Sequence, residues 1–330
     1  MKSQVNIAVI GIGYMGRNHI KILSSLPDVN LIAVCDVDQE KTQKIARQYK
    51  VRGYTNYTKL LENEKLDAIT ICMPTPLHYK TATECIKRKL VTFIEKPICE
   101  TLTEAKKLTK LAKVSHTPMM IGHIERFNPV VNEIKLRIKS GEIGKIIKIH
   151  TQRFSPPVMS QNNVSVVIDL ATHDIDVMQY LLGEPIVRLY AEGLTKFHKK
   201  EDLMSALLRF KSGTIGLLEV SWLHPIKARN LTILGENGMY SANYLTQELQ
   251  FSRQSSHVYT NTENYFPFTG ADVVKVAFQA QEPLYIELRA FINAILFKKR
   301  MPVTGEDGLH ALEIAERIIK SANTNNIIYK

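Results

Sequence analysis

The sequence feature that most constrains the fold is a glycine-rich turn between an apolar run and an amphipathic one. Residues 5–10 read as a buried strand, Gly11-Ile12-Gly13-Tyr14-Met15-Gly16 follows at once, and residues 17–26 have helical spacing. In a G-x-G-x-x-G turn the glycines permit the tight turn, the approach of a pyrophosphate and close helix–strand packing. The helix N-terminus supplies free N–H groups and partial positive charge for phosphates. The strand–turn–helix setting therefore predicts a dinucleotide-binding unit.

The second strand, residues 30–35, ends at Asp36, twenty positions after Gly16. A carboxylate there can accept hydrogen bonds from an adenosine ribose and would repel a 2′-phosphate, which favours NAD over NADP. Asp38 is a competing candidate for this role. The alternatives are an ordinary loop aspartate and a degenerate fold that binds no cofactor.

The strand–helix alternation continues through the first 122 residues. Strands are predicted near residues 68–72, 90–94 and 118–121, with helices between them. This alternation is typical of a parallel, doubly wound sheet, whose right-handed crossovers bring the strand-end loops to one edge. Thr75, Pro76 and His78 follow one strand at that edge, and Glu95-Lys96-Pro97 follows the next.

After Gly122 the pattern changes to short alternating segments. They cover residues 146–153, 186–192, 205–210, 214–220, 229–234 and 238–242. Glycine-containing turns between them indicate hairpins, hence a mostly antiparallel open sheet. Residues 247–279 lack a pattern and are expected to form long loops, and residues 283–297 and 306–321 read as helices.

The fold class is therefore α/β: an N-terminal Rossmann domain, then a C-terminal α+β domain with that open sheet. The domains are predicted as 1–122 for NAD and 123–330 for substrate binding and oligomerisation. Packing of the C-terminal helix back on the first domain is an open alternative. An exposed sheet face invites pairing, so we expect a homodimer or homotetramer.

Lys96 stands at the carboxyl end of a predicted strand, because Pro97 cannot donate a ladder hydrogen bond. Ligands of open α/β sheets bind at that edge. A solvated surface lysine is the alternative, so a chemical role for Lys96 depends on what else lies there.

Asp169 and His173 lie four residues apart in a segment with helical spacing that ends at Gly183. A carboxylate beside an imidazole orients it and raises its basicity, as a general base requires. A purely structural helix pair is equally compatible with the spacing. A metal site of Asp169, His173 and Asp176 lacks an obvious further ligand, so no metal is expected.

Composition excludes several classes of function. Apolar residues make up 45% and charged residues 23%, which is ordinary for a globular protein, and no apolar run could span a bilayer. The net charge of +11 is scattered, which argues against a nucleic-acid partner and suits an acidic small molecule. The N-terminus lacks a signal-peptide core, and the four cysteines are widely spaced, so we expect a cytoplasmic protein with reduced thiols.

These motifs together resemble the glucose–fructose oxidoreductase/inositol dehydrogenase (Gfo/Idh/MocA) family across nearly the whole chain. The glycine turn, Thr75-Pro76 with His78, Glu95-Lys96-Pro97 and Asp169-x-x-x-His173 occur in the family's order and approximate spacing. The resemblance implies an NAD-dependent enzyme that oxidises a sugar hydroxyl, with Lys96 and His173 flanking the substrate, Asp169 nearby, and a cis Lys96–Pro97 bond. The expected cofactor-binding residues are Gly11, Ile12, Gly13, Tyr14, Met15, Gly16, Asp36, Thr75, Pro76, His78, Glu95 and Lys96.

Within the family, residues 122–129, 167–176 and 221–227 resemble the branch that oxidises the 3-hydroxyl of UDP-N-acetylglucosamine. The expected substrate-binding residues are Lys96, His123, Arg126, Asn128, Asp169, His173, Lys227 and Arg229. The alternatives are inositol, a free sugar or another nucleotide sugar as substrate, and a regulator that senses NAD without catalysis. The proton acceptor is either His173 or Lys96, since the positive nicotinamide should lower the pKa of the lysine.

Overall fold

A computed structural model describes residues 4–157, 164–259 and 268–330 of the chain. These residues form two compact units, one of Met1–Ile124 with Glu282–Glu313 and one of Glu125–Gln281 with Ile314–Lys330. No helix within the described ranges is long and apolar enough to cross a membrane.

The first unit is a parallel sheet covered by helices. Its elements in chain order are β1 (Val5–Ile10), α1 (Tyr14–Leu23), β2 (Val29–Cys35), α2 (Gln39–Tyr49), β3 (Arg52–Tyr54), α3 (Tyr57–Asn63), β4 (Ala68–Ile71), α4 (His78–Lys87), β5 (Val91–Glu95), α5 (Leu102–Val114) and β6 (Met119–Gly122). The strand order is β3-β2-β1-β4-β5-β6, and each neighbouring pair is parallel. This is the Rossmann order, in which the strand order, and not the strand direction, reverses between β1 and β4. The carboxyl ends of β1, β4 and β5 therefore share one edge, as predicted.

The second unit is built on a large open sheet. Its elements are α6 (Pro129–Ser140), β7 (Ile146–Phe154), α7 (Thr172–Leu182), β8 (Ile186–Leu194), β9 (Leu203–Phe210), β10 (Ile215–Ser221), β11 (Ala228–Gly235), β12 (Gly238–Asn243), β13 (Glu248–Tyr259) and β14 (Phe268–Lys275), and β15 (Ile328–Tyr329) joins at one edge. The order is β14-β13-β12-β11-β7-β10-β9-β8-β15. Its pairs are antiparallel except β7 with β10, which confirms the mostly antiparallel prediction.

One face of this sheet is buried and the other is open. Ile149, Leu218 and Leu231 are fully buried on the face that α6 and α7 cover. Alternate residues on the strands point the other way, and Leu207 there is 51% exposed. The period-two burial explains why the sequence alternates in this half of the chain.

The expectation of long loops over residues 247–279 is wrong for most of that stretch. Glu248–Tyr259 and Phe268–Lys275 pair as β13 and β14, while 260–267 lie outside the described residues. Val273 and Val274 on β14 are both more than half exposed. A strand without a buried face is not required to alternate, so its sequence gave no strand signal.

Two C-terminal helices complete the chain: α8 (Pro283–Leu296) and α9 (Gly305–Thr324). The buried Phe291 of α8 packs its ring edge-on against Phe93 of β5, with centroids 5.4 Å apart. Gly308 of α9 lies against Ile121 of β6. Residues 282–313 thus belong to the first unit, while the functional division at residue 122 stays a prediction.

Candidate active site

The glycine turn has the geometry that its motif predicts. Gly11 has φ +93°, in the left-handed region, and a Cβ there would lie 2.5 Å from the Cys72 carbonyl oxygen. A Cβ on Gly16 would lie 1.8 Å from the Gly11 oxygen, because the first turn of α1 packs directly on the loop. No atom of the described residues lies within 4 Å of the Cβ position of Gly13. The open backbone at Gly13 is therefore the place where a pyrophosphate can approach.

The N-terminus of α1 has no side-chain cap among the described residues. Gly13 is its N-cap residue, and the first turn carries no acidic residue. The N-terminal N–H groups and the positive end of the helix dipole remain available for an anion. This cradle fits the phosphates of a dinucleotide.

Asp36, directly after β2, is held by three donors. It accepts hydrogen bonds from Ile12 N (2.7 Å), Asp38 N (3.2 Å) and Lys41 Nζ (3.0 Å). Burial raises the pKa of Asp36, but these donors outweigh it and lower the pKa below its usual value. Asp38 instead caps α2 by accepting from Lys41 N (3.0 Å). The structure therefore separates the two candidates: Asp36 is the ionised carboxylate beside the glycine turn.

His78 ties together two loops of the sheet edge. Its ring nitrogens lie 2.9 Å from the Pro97 oxygen and 2.8 Å from the Met73 oxygen. Its side chain is buried, and this burial lowers the pKa of the imidazole. Thr75 and Pro76 lie in the 3₁₀ turn just before it. His78 thus fixes the loop after β4 against the loop that begins with Lys96 and Pro97.

Glu95, the residue before Lys96, has a buried partner, His19, that the sequence analysis did not predict. Glu95 ends β5, and its Oε1 lies 2.8 Å from Nε2 of the fully buried His19 on α1. The imidazole also packs edge-on against Phe93, with centroids 5.2 Å apart. The Lys96–Pro97 peptide bond is cis, as the resemblance implied. A histidine three residues after Gly16, on the buried face of α1, was the available sequence signal.

His19, Cys72 and Glu95 are the one group in the described part of the chain whose atoms could surround a metal ion. Burial and then Glu95 raise the pKa of the Cys72 thiol well above its usual value. Because a thiol must lose its proton to bind a metal, the cluster is better described as a hydrogen-bonded His19–Glu95 pair.

The segment that carries Asp169 and His173 is helical but is not one regular α-helix, and the shared helix face of the two residues stays a prediction. Val167–Ala171 forms a π-helical turn that contains Asp169, and His173 lies in the first turn of α7. Both side chains are partly exposed, whereas Asp174 and Asp176 are buried.

Two of the expected substrate-binding cations, Arg126 and Arg229, have partners inside the second unit. Arg126 donates to Asp176 at 2.7 and 2.6 Å. Arg229 is buried and donates to Ser155 Oγ and Ala228 O (both 2.7 Å) and to Phe154 O. Burial, then the nearby Arg153, lowers the pKa of Arg229 to about 10.

Asn128 also has partners inside the second unit, whereas Lys227 lies at the surface. Asn128 caps α6 and donates to Glu125 (3.2 Å) and to Tyr244 O (3.3 Å). Lys227 is exposed, just before β11. His123, in the first unit, is 2% exposed and follows β6 directly. Lys227 is therefore the cation of this set that the structure leaves at the surface.

Two family models match the chain. Residues 5–123 match an oxidoreductase family with an NAD-binding Rossmann fold, and residues 135–329 match the C-terminal alpha/beta domain of that oxidoreductase family. The glycine turn and Asp36 fit the NAD that this family binds.

Similar proteins act on cyclitols and on a nucleotide sugar. The chain is 27% identical to myo-inositol 2-dehydrogenase of Thermotoga maritima, over 96% of each chain. It is 25% identical to UDP-N-acetylglucosamine 3-dehydrogenase of Acidithiobacillus ferrooxidans, over 94% of this chain and 95% of that one.

Solved structures agree on the fold. A crystal form of the Acidithiobacillus enzyme has a TM-score of 0.87, at 24% identity over 97% of this chain and 98% of that one. The scyllo-inositol dehydrogenase of Lactobacillus casei, with bound NAD(H) and scyllo-inositol, has a TM-score of 0.82 at 19% identity, over 99% of each chain.

Proposed function

We propose that this chain oxidises a nucleotide sugar with NAD. The premise is that the chain belongs to the oxidoreductase family whose two models match residues 5–123 and 135–329. The specific substrate proposed is UDP-N-acetylglucosamine, oxidised at its 3-hydroxyl to the 3-keto sugar. The observation that carries the proposal is that Lys96 lies at the strand edge of the parallel sheet that also holds the glycine turn.

The cofactor residues act through position and charge. N–H groups at the start of α1 bind the pyrophosphate across the open backbone of Gly13. Asp36, kept ionised by its donors, accepts from the adenosine ribose. A carboxylate has about four acceptor positions and Asp36 already uses three, which leaves one for a ribose hydroxyl. NAD, when bound, supplies the two-electron oxidant for the sugar carbon.

The catalytic residues proposed are Lys96, His173 and Asp169. The carbon that bears the hydroxyl gives up hydride readily only as the hydroxyl proton leaves, so one of these side chains takes that proton. In the first assignment His173 is the base, Asp169 orients it, and Lys96 donates a hydrogen bond to the developing alkoxide. In the second, Lys96 is the base and His173 its partner. The pH profiles of Lys96→Met and His173→Asn separate the two, because the base gives the acid limb of kcat/KM.

Specificity for the UDP part is proposed to rest on Lys227. This exposed cation can reach a diphosphate, whereas Arg126 and Arg229 already have internal partners. The alternative substrates, inositol and free sugars, carry no diphosphate. Lys227→Ala should therefore raise KM for a UDP-sugar and leave the oxidation of a cyclitol unchanged.

The open face of the second sheet is the proposed surface for a homodimer or homotetramer. Leu207 and Leu217 lie on strands whose alternate residues are buried on the other face, and Leu207 is half exposed. Covering such a face removes apolar area from water. Light scattering of Leu207→Lys should give a smaller particle than the wild-type chain.

The test of the proposed function is a substrate panel. The purified chain is mixed with NAD and, separately, with UDP-N-acetylglucosamine, other UDP-sugars, myo-inositol, scyllo-inositol and free sugars. NADH formation that is fastest with UDP-N-acetylglucosamine supports the proposal. Turnover of a cyclitol alone would move the assignment to an inositol dehydrogenase, and binding of NAD without any turnover would favour an NAD-sensing regulator.

A further inference from the structure

Two buried arginine–aspartate pairs hold α7 directly beside His173. Arg126 binds Asp176 through Nε (2.7 Å) and Nη2 (2.6 Å). Arg153 binds Asp174 through Nε (2.8 Å) and Nη2 (3.0 Å). Each pair is bidentate, and all four residues are at most 9% exposed. Two forks of this kind fix both the distance and the plane of each carboxylate.

The two pairs contact α7 on nearly opposite sides. An α-helix turns by about 100° per residue, so Asp174 and Asp176 point about 200° apart. Arg126 comes from the 3₁₀ turn before α6, and Arg153 comes from β7 of the sheet. A rotation of α7 about its axis would stretch at least one pair. His173, next to Asp174 in sequence, therefore has a fixed direction around the helix.

Further contacts also hold α7, and we call them, together with the two arginine–aspartate pairs, the clamp. Arg153 also donates to Glu125 at 2.9 Å, which links the strand to the segment that carries Arg126. Lys135 of α6 donates to the last carbonyls of α7, at 2.5 Å from Tyr180 O and 2.9 Å from Leu181 O. Rotation and sliding of α7 are thus both opposed.

Stability alone does not account for such pairs. Buried ion pairs lose most of their Coulombic gain to desolvation, and apolar side chains of similar volume often stabilise a fold as well. What a fork adds is a defined orientation. The π turn of Val167–Ala171 lies directly before α7, and such turns often occur at functional sites.

We propose that Arg126 and Arg153 are positioning residues, which aim His173 by fixing the rotation of α7 through Asp176 and Asp174. The inference rests on the proposed function in one respect, the catalytic role of His173. It assigns to Arg126 a different task from the substrate contact that its sequence position suggested.

The test replaces each fork by a single cation. Arg126→Lys and Arg153→Lys keep the charge beside the aspartate and lose the bidentate geometry. Arg137→Lys is the matched control, because Arg137 forms its pairs with Glu133 and Glu142, away from α7. We expect the first two variants to remain folded and to bind NADH normally. Their kcat should fall roughly tenfold or more, since small misplacements of reacting groups are costly, with KM nearly unchanged.

The pH profile of kcat/KM distinguishes positioning from a loss of stability. The pH of the limb that His173 contributes should shift in Arg126→Lys and Arg153→Lys and stay in place in Arg137→Lys. All profiles are measured where circular dichroism shows that the variant is fully folded. Wild-type kcat and pH profile in both variants would overturn the inference. A rise in KM alone would also overturn it, since that result indicates direct substrate binding.

A second measurement keeps this inference separate from the proposed function. If the wild-type chain oxidises none of the panel substrates, the proposed function fails. The imidazole NMR signal of His173, assigned with His173→Asn, still tests the clamp. It should move in Arg126→Lys and Arg153→Lys and stay in place in Arg137→Lys. An unmoved signal in the first two variants overturns the inference. Should either unfold, the charge-free double variant Arg153→Met/Asp174→Leu takes its place, with the same expected shift.

Discussion

Replacing Gly13 by alanine should separate cofactor binding from folding. Gly13 has φ −68° and ψ −162°, which alanine adopts without strain, and its Cβ would meet nothing within 4 Å. The substitution should leave the fold intact and change the free energy of unfolding by less than about 1 kcal/mol, because alanine restricts the unfolded chain but is a poorer N-cap residue than glycine. The new methyl group, however, occupies the space that a pyrophosphate needs.

The expected loss of NAD affinity follows from that steric conflict. Forcing an extra methyl group into a well-packed contact costs about 1–3 kcal/mol. With about 1.4 kcal/mol for each tenfold, the Kd of Gly13→Ala should rise roughly 5- to 150-fold. Isothermal titration with NADH gives the Kd, and urea unfolding gives the free energy of unfolding. An unchanged Kd would refute the assignment of Gly13 as the approach point.

Gly16→Ala is the matched comparison at the same turn. Its Cβ would lie 1.8 Å from the Gly11 carbonyl oxygen, and that backbone can move only by separating α1 from the loop. We expect a loss of about 1–3 kcal/mol in the free energy of unfolding. If Gly16→Ala were as stable as Gly13→Ala, the described packing of α1 on the turn would be wrong.

Three further predictions use other described residues. Lys96→Met should lose sugar oxidation and keep its affinity for NADH, which turnover assays and titration measure; near wild-type turnover would remove Lys96 from the mechanism. Asp36→Ser should raise the ratio of NADP to NAD use, because the carboxylate that repels a 2′-phosphate is gone; an unchanged ratio would contradict its role. Asp202 accepts from the backbone N–H groups of Lys196 and Phe197 and from the His198 ring, and although burial opposes them these donors lower its pKa. The stability that this carboxylate adds is complete above its unfolded pKa near 3.8 and is lost as pH falls through the lower pKa of the folded state. In urea unfolding, the difference in the free energy of unfolding between wild type and Asp202→Asn should therefore shrink only below about pH 4. A constant difference down to that pH range and beyond would contradict the assignment.

Local sequence patterns predicted the first unit well because its determinants are local. The run before Gly11 is buried on both faces of the sheet, and the glycine spacing reports close backbone contacts within one turn. The strand edge that brings Lys96 to the glycine turn follows from the handedness of the crossovers. His19 was missed since its partner Glu95 is 76 residues away.

The second unit was less predictable at its site for the same physical reason. Arg126 finds Asp176 at a separation of 50 residues, and Arg229 bonds to the backbone of β7, 75 residues before it. The sequence shows that both residues are cations, but it does not show whether the fold places a buried partner beside them. The π turn at Asp169 was also hidden, because apolar spacing does not distinguish an extra residue within a helical segment.

We propose that the chain oxidises the 3-hydroxyl of a UDP-sugar with Lys96 as a catalytic residue, and isotope transfer is a direct test of this proposal. UDP-N-acetylglucosamine carrying deuterium at carbon 3 is incubated with NAD and the wild-type chain, and the NADH is examined by mass spectrometry. We expect deuterium in the NADH formed by the wild-type chain, and none when Lys96→Met replaces it. NADH formed without deuterium would show that another carbon is oxidised, and equal transfer by Lys96→Met would show that Lys96 is not required.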